Sequence, residues 1–448
     1  MLTRLTLTGA LLLLGAEAAA DPCGMVPPIR VTENVNTPPI QRIGAQRTYV
    51  FYRDGIETIA LRPGFEGTID DFGMLIPFPS PPAIRKIEDQ TFAHIEGAID
   101  PPEINVHIQD QRELYSRSSM AFGDASAAPE AEEAVAEDLG YREVRVLREE
   151  AVGMYQVAVL EAGSPAALKR WMDNNGYRYP DGMDEVTAEY VAERWCFVAI
   201  KAKIGQGPGT SPRPGMRRIN TQLPEGSSFD GHVQGMAFRF HTDEPVIPMR
   251  LSVFNGPDPR NVVYLLTERP STLSGVSTDL VWGQLYGEDL HKQLTEPLGV
   301  QYFNGSARDL SSSDRSNLEQ MRDPTPYVQT ARDLFAADLL AARTNTLSLS
   351  HEEDEKALLN VSESLGLRGP EIDALHAQVL SEQRALAVDG ALDDLREMHF
   401  TVIDGVLPGD LIARENLSLL YHRAHNSDRL AQRGDPLKPQ NIDWWVYR

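Results

Sequence analysis

The chain has 448 residues, 42% of them hydrophobic, with 42 Lys+Arg against 65 Asp+Glu and a formal net charge of −23. Such a field repels phosphate backbones and anionic lipid and so argues against nucleic-acid and membrane-surface partners. Beyond the first twenty residues no segment approaches the uninterrupted apolar run of a spanning helix, and the length exceeds what one hydrophobic core usually organises, so two or more domains are expected.

Residues 1–20 read as an export signal, with Arg4 as the positive end, Leu5 to Gly15 as the apolar run and "AEAAA" as the cleavage region. Asp21 and Pro22 precede Cys23, whereas a lipid-anchoring signal needs small or apolar residues there. The expectation is a protein of the periplasm or the extracellular space without an integral membrane segment after cleavage. Cys23 and Cys196 are the two cysteines, an even count in an oxidising compartment, and this points to a disulfide. Closing so long a loop would give about 5 kcal/mol on the chain-entropy model, and two unpaired thiols with Cys196 buried is the alternative.

From Asp21 to Asn304 the chain is rich in proline and short alternating runs. "RTYVFYRDGIETIALRPGF" predicts a hairpin turning at Asp54-Gly55. Pro77, Pro79, Pro81 and Pro82 cannot donate ladder hydrogen bonds and push "GMLIPFPSPPAIRKI" to a sheet edge. Ser116 to Glu137 reads as an excursion poor in large apolar residues, and a second hairpin follows over "YREVRVLREEAVGMYQVAVLEAG".

In "SPAALKRWMDNNGYRYP" Ser164 suits an N-cap, Pro165 the first helical position and Gly176 a left-handed terminus. Leu168, Trp171 and Met172 share one face, which makes Trp171 a core residue. A second helix is expected from Asp184 to Arg194, followed by a buried strand over "WCFVAIKAKI". Its acidic residues Asp184, Glu185, Glu189 and Glu193 reject a helix-turn-helix DNA reader. "GHVQGMAFRFH", "PVIPMRLSVFN" and "RNVVYLLTER" read as further strands, and helical patterning dominates from Ser311 to Leu419.

The segments "LKRWMDNNGYRYP", "YVAERWCFVAIKAKI" and "FGMLIPFPSPPAIRKI" resemble an exported bacterial family, the domain-of-unknown-function family numbered 2330. The resemblance covers Asp21 to Asn304. It implies export and the pairing of Cys23 with Cys196, and it carries no activity.

Strong catalytic signatures are absent: there is no G-x-S-x-G, H-E-x-x-H, C-x-x-C or Walker loop. "GQGPGTSP" is followed by prolines rather than a helix start, so it reads as a structural loop. His422 and His425 in "HRAH" lack a third ligand, and "HEEDE" from His351 suits an acidic helix start. The acid/base candidates are Asp230 and His232, with His241 further along the same run; Asp70-Asp71 is explained by a turn.

The expected architecture is α+β: a signal peptide over 1–20, a β-rich domain with an embedded two-helix unit over 21–304, a linker over 305–323 and a helical domain over 324–448. The favoured function is a non-enzymatic binding or envelope-associated protein whose partner is an envelope protein or polymer, with no cofactor or metal. Tyr177, Tyr179, Trp444 and Trp445 are the candidate contacts. The alternative is a hydrolase of envelope polymers using Asp230 and His232.

Overall fold

The computed structural model describes residues 41–42, 45–68, 72–109, 144–202, 228–255, 260–347, 378, 385–414, 416–421 and 441–447. Cys23, Asp70-Asp71, the excursion of 116–137, "GQGPGTSP", "HEEDE" and "HRAH" lie outside these residues.

At the centre stands a seven-stranded sheet seeded by the predicted hairpin, β2 (Gln46–Arg53) and β3 (Ile56–Arg62). Asp54 (φ 51°) and Gly55 (φ 77°) both take the left-handed conformation that matches a two-residue turn to strand twist. Beside β3 lie β12 (Met236–His241) and, at the edge, β6 (Ala83–Lys86). On the other side β14 (Asn261–Thr267) runs parallel to β2, then come β18 (His399–Gly405) and β16 (Val281–Tyr286). All seven residues of β14 are buried, as befits a strand covered on both faces.

A four-stranded sheet packs on one of those faces, in the order β5 (Gly73–Phe78), β10 (Cys196–Ala202), β9 (Tyr155–Ala162), β8 (Val144–Val152). Alternation sends Ile76, Phe78, Val159 and Val198 inward against Val50, Ile59, Phe238 and Val263. The rings of Phe78 and Phe238 sit 5.1 Å apart in this shared core. Pro77 lies within β5 at the edge of its sheet, and β6 is the edge of the other, so the proline-rich run takes the expected edge positions.

Helices cover both outer faces. α1 (Thr91–Ile99), α4 (Gly287–Thr295) and α6 (Thr325–Thr344) bury Phe92, Leu290 and Phe335 against Tyr49, Tyr264 and Phe400 of the larger sheet. α2 (Pro165–Asn174) and α3 (Met183–Ala192) bury Leu168, Met172 and Tyr190 against Leu160 and Phe197 of the smaller one. The result is a helix, sheet, sheet, helix stack of four layers, an α+β architecture. Among the described residues no helix is long and apolar enough to cross a membrane.

Among the described residues there are also three smaller sheets. They are β1 (Gln41–Arg42), β4 (Gly64–Thr68) and β11 (Ser228–His232); β13 (Val246–Ile247), β19 (Leu417–Tyr421) and β15 (Ser271–Leu273); and β17 (Val300–Phe303), β7 (Ile104–Gln109) and β20 (Ile442–Tyr447).

The expected division at 305–323 is corrected by these pairings. β18, from the expected helical domain, pairs with β14 on one side and β16 on the other, inside the main sheet. β20 pairs with β7, more than 300 residues earlier in the chain. The expected linker contains α5 (Ser312–Met321), capped by Ser311 and docked through Leu310 and Leu318 on β7 and β20. Apolar surface on each segment packs against the other in the same core clusters. A further correction concerns "PVIPMRLSVFN": Val246–Ile247 alone pairs, and Arg250–Asn255 forms a 3-10 helix, because Pro245 and Pro248 remove ladder donors.

The two-helix unit folds as its caps dictate. The Ser164 hydroxyl accepts from the Ala167 N–H at 3.1 Å, Pro165 opens α2, and Gly176 (φ 79°) closes it. Trp171, however, is only half-buried and stacks on Tyr177 with centroids 5.8 Å apart, whereas Leu168 is fully buried. Leu168→Ala should therefore lose about 2–5 kcal/mol of stability. Trp171→Ala should lose a smaller, about 1.5–3 kcal/mol. Urea melts of the two variants measure the order.

Glu57 on β3 is fully buried; its Oε2 accepts the Val246 N–H at 3.0 Å and its Oε1 has no donor. Burial pushes its carboxyl pKa well above the usual range. Since the folded state holds this proton more tightly, the associated stability is full below the unfolded pKa of about 4.3 and is lost as pH rises through the folded value. Glu57→Gln should raise the denaturation midpoint at pH 8 relative to the parent and confer no such gain at pH 4.

Candidate functional site: an aromatic sheet face

In β7, Ile104, Val106 and Ile108 turn inward, while Asn105, His107 and Gln109 lie on the opposite face. β20 repeats the pattern, with Trp444 half-buried and Val446 buried inward and Asp443, Trp445 and Tyr447 outward. Both β20 and β17 run parallel to β7, and the register sets Phe303 and Trp445 on either side of His107.

The three rings form a stack. His107 lies 4.1 Å from Trp445 at 12° between planes and 5.1 Å from Phe303 at 16°. Phe303, Trp445 and Tyr447 are 39%, 44% and 50% exposed, an apolar strip facing water on the sheet. Polar groups that bond in plane accompany it: Asn105 Nδ2 donates to Asp443 Oδ1 at 3.1 Å, and His107 Nε2 lies 3.0 Å from the same oxygen. A carboxylate only accepts, so His107 carries its proton on Nε2 here. The His107 and Asn105 bonds hold the Asp443 carboxyl below its ordinary pKa. The start of β20 is fixed by one backbone and one side-chain bond: Ile442 N–H donates to Glu103 O at 2.9 Å and Glu103 N–H to Asn441 Oδ1 at 3.1 Å.

The other expected site residues fall elsewhere. Tyr177 and Tyr179 are 3% and 6% exposed, and the Tyr179 hydroxyl is held by Asp184 at 3.1 Å and Thr187 at 3.0 Å. They pack the two-helix unit against its sheet and present no contact surface. Asp230 and His232 lie on β11, opposite Glu66 and Gly64 of β4, while His241 ends β12 opposite Ile56 in the main sheet. The expected continuous strand is interrupted over 233–235, so His241 lies in a different sheet from Asp230 and His232, which share β11. Among the described residues no three His, Cys, Asp or Glu side chains gather as a metal cage. Cys196 is buried, its Sγ 3.5 Å from Phe78 O, and burial pushes its thiol up to about 12.

A family model described as an uncharacterized protein conserved in bacteria, DUF2330, matches residues 33–338. The chain belongs to this family. The family match extends past Asn304 into α6, in keeping with the continuity of the main sheet across that point. No curated protein matches the chain. Among solved structures, the crystal structure of baculovirus P35 aligns at 12% identity over 62% of this chain and 74% of that one, with a TM-score of 0.21. That score is below the level of a shared fold.

Proposed function

We propose that the protein is an exported binding protein that grips a neutral glycan of the cell envelope on the face formed by Phe303, His107, Trp445 and Tyr447. The observation that carries the reading is the exposed ring strip with amide and carboxylate groups beside it. A pyranose offers C–H faces that pack on aromatic rings and hydroxyls that bond planar acceptors and donors such as Asp443, Asn105 and Gln109. The chain's charge of −23 disfavours an anionic polymer. The signal-like residues 1–20 support export, and a Cys23–Cys196 disulfide belongs to the same reading.

Titration of the protein with the N-acetylglucosamine tetramer and with cellotetraose, followed by tryptophan fluorescence and calorimetry, tests this. Trp445→Ala should weaken binding by about 1–3 kcal/mol while the variant keeps a cooperative unfolding transition, its midpoint lowered by the lost stack on His107. Binding unaffected by Trp445→Ala and Phe303→Ala would remove the face from consideration. Capture of an extended peptide along the β20 edge, with no glycan binding, would replace the reading with strand addition.

A further inference from the structure

A cavity of about 330 Å³ opens between β6, α1 and α6, at the edge of the main sheet. Its size is at the lower end for small-molecule sites. Ile87, Leu334, Leu340 and Val388 supply an apolar wall, of which Leu340 and Val388 are only half-covered by the protein.

Arg85 at this cavity feels the attraction of Asp338 but makes no direct bond to it. Arg85 on β6 pairs with Ala237 of β12 and so faces the helix layer, two residues along from Arg239 on the same face. Arg239 has its carboxylate: Asp338 of α6, itself fully buried, which also accepts from the Thr58 hydroxyl at 2.8 Å. Arg85 makes no hydrogen bond or ion pair among the described residues, and its Nε and Nη2 are closed off from water without an acceptor. Burial lowers its pKa. The nearby Asp333 accepts from Gln329 at 3.1 Å and forms no ion pair with Arg85. A part-buried guanidinium whose Nε and Nη2 have no acceptor is costly, and an anionic ligand in the cavity would supply that acceptor. α1 begins at the same cavity with Thr91, and its N-cap, Gln90, makes no side-chain cap, so the positive end of the helix adds to the field of Arg85 and Lys86.

We propose that this cavity binds a small organic carboxylate, the carboxylate group against Arg85 and the start of α1, and a short apolar body along Leu334, Leu340 and Val388. The site is separate from the aromatic face, which involves none of these residues. Glu88 and Asp333 at the cavity oppose a second negative charge on the ligand, and this restricts it to a monoanion.

Calorimetric titration of the full mature chain with 4-methylpentanoate and with its neutral isostere 4-methylpentanamide provides the test. The acid should bind at least about tenfold more tightly than the amide, in line with a charge-assisted bond. Arg85→Met should abolish that preference while leaving the thermal midpoint of the unliganded protein unchanged or higher, since it removes a part-buried charge whose Nε and Nη2 have no acceptor. Leu340→Trp, which fills the cavity, should abolish binding of both probes. Equal binding of acid and amide, no binding of the acid, or acid binding retained in Arg85→Met would overturn the proposal. A lowered midpoint of unliganded Arg85→Met would also overturn it, by showing that Arg85 is held within the protein by Asp338.

Discussion

Replacing Asp338 with alanine is expected to lower the unfolding free energy by about 3–5 kcal/mol, the usual loss when one partner of a buried ion pair is removed. Asp338 is fully buried and Arg239 is 5% exposed, so the guanidinium left behind cannot recover water. Its Nη1 keeps the Leu347 carbonyl at 3.1 Å and its Nε the Thr58 hydroxyl at 3.2 Å, but neither neutralises the charge. The double variant Arg239→Met/Asp338→Leu should regain most of that loss, because two apolar chains of similar volume need no solvation. Guanidinium melts of parent, single and double variants measure the difference. A single variant as stable as the parent would show that water reaches Arg239.

A chain ended after Thr344 should fail to fold, and this is the larger effect. Without β18, both β14 and β16 lose a neighbour, and the apolar surface that Phe400 and Val402 cover lies open. The described core clusters on both faces of the main sheet include residues beyond 390, among them Ile403 on one face and Leu395 on the other. Absence of a cooperative urea transition in the fragment, against a cooperative one in the full chain, is the expected readout. A soluble fragment with a sharp transition would restore the separable domains that the helical patterning suggested.

Local signals were legible wherever the chemistry was local. Asp54-Gly55, Ser164-Pro165 and Gly176 each specify a backbone conformation by themselves, and each stands where expected. The run at Cys196 declared a buried strand through its β-branched residues, and β10 is central in its sheet. What stayed hidden was pairing over distance. β18 is seven residues long and follows directly on a 3-10 turn (Asp393–Glu397), so its apolar residues continue a helical stripe to the eye. Nothing near His399 names β14 as its neighbour.

The aromatic face illustrates the same limit. Trp444 and Trp445 stand out in the sequence, but which of them faces water depends on the pleat of β20, and this places Trp445 outward and Trp444 inward. His107 and Asp443 are 336 positions apart, and only the parallel ladder brings them together. Tyr177 and Tyr179 misled in the opposite sense: they flank a turn, a position usually open to solvent, yet two helices and the smaller sheet close over them.

The position of β18 also constrains the order in which this protein can acquire its structure during synthesis. β2 must wait for β14, some two hundred residues later, and β14 in turn for β18, so the main sheet has an open, apolar, unpaired edge until nearly the whole polypeptide has emerged. Long-range pairings of this kind close slowly, and exposed strand edges invite association with other chains in the interval. The unpaired edges of β2 and β14 are therefore where an incomplete chain would meet another one.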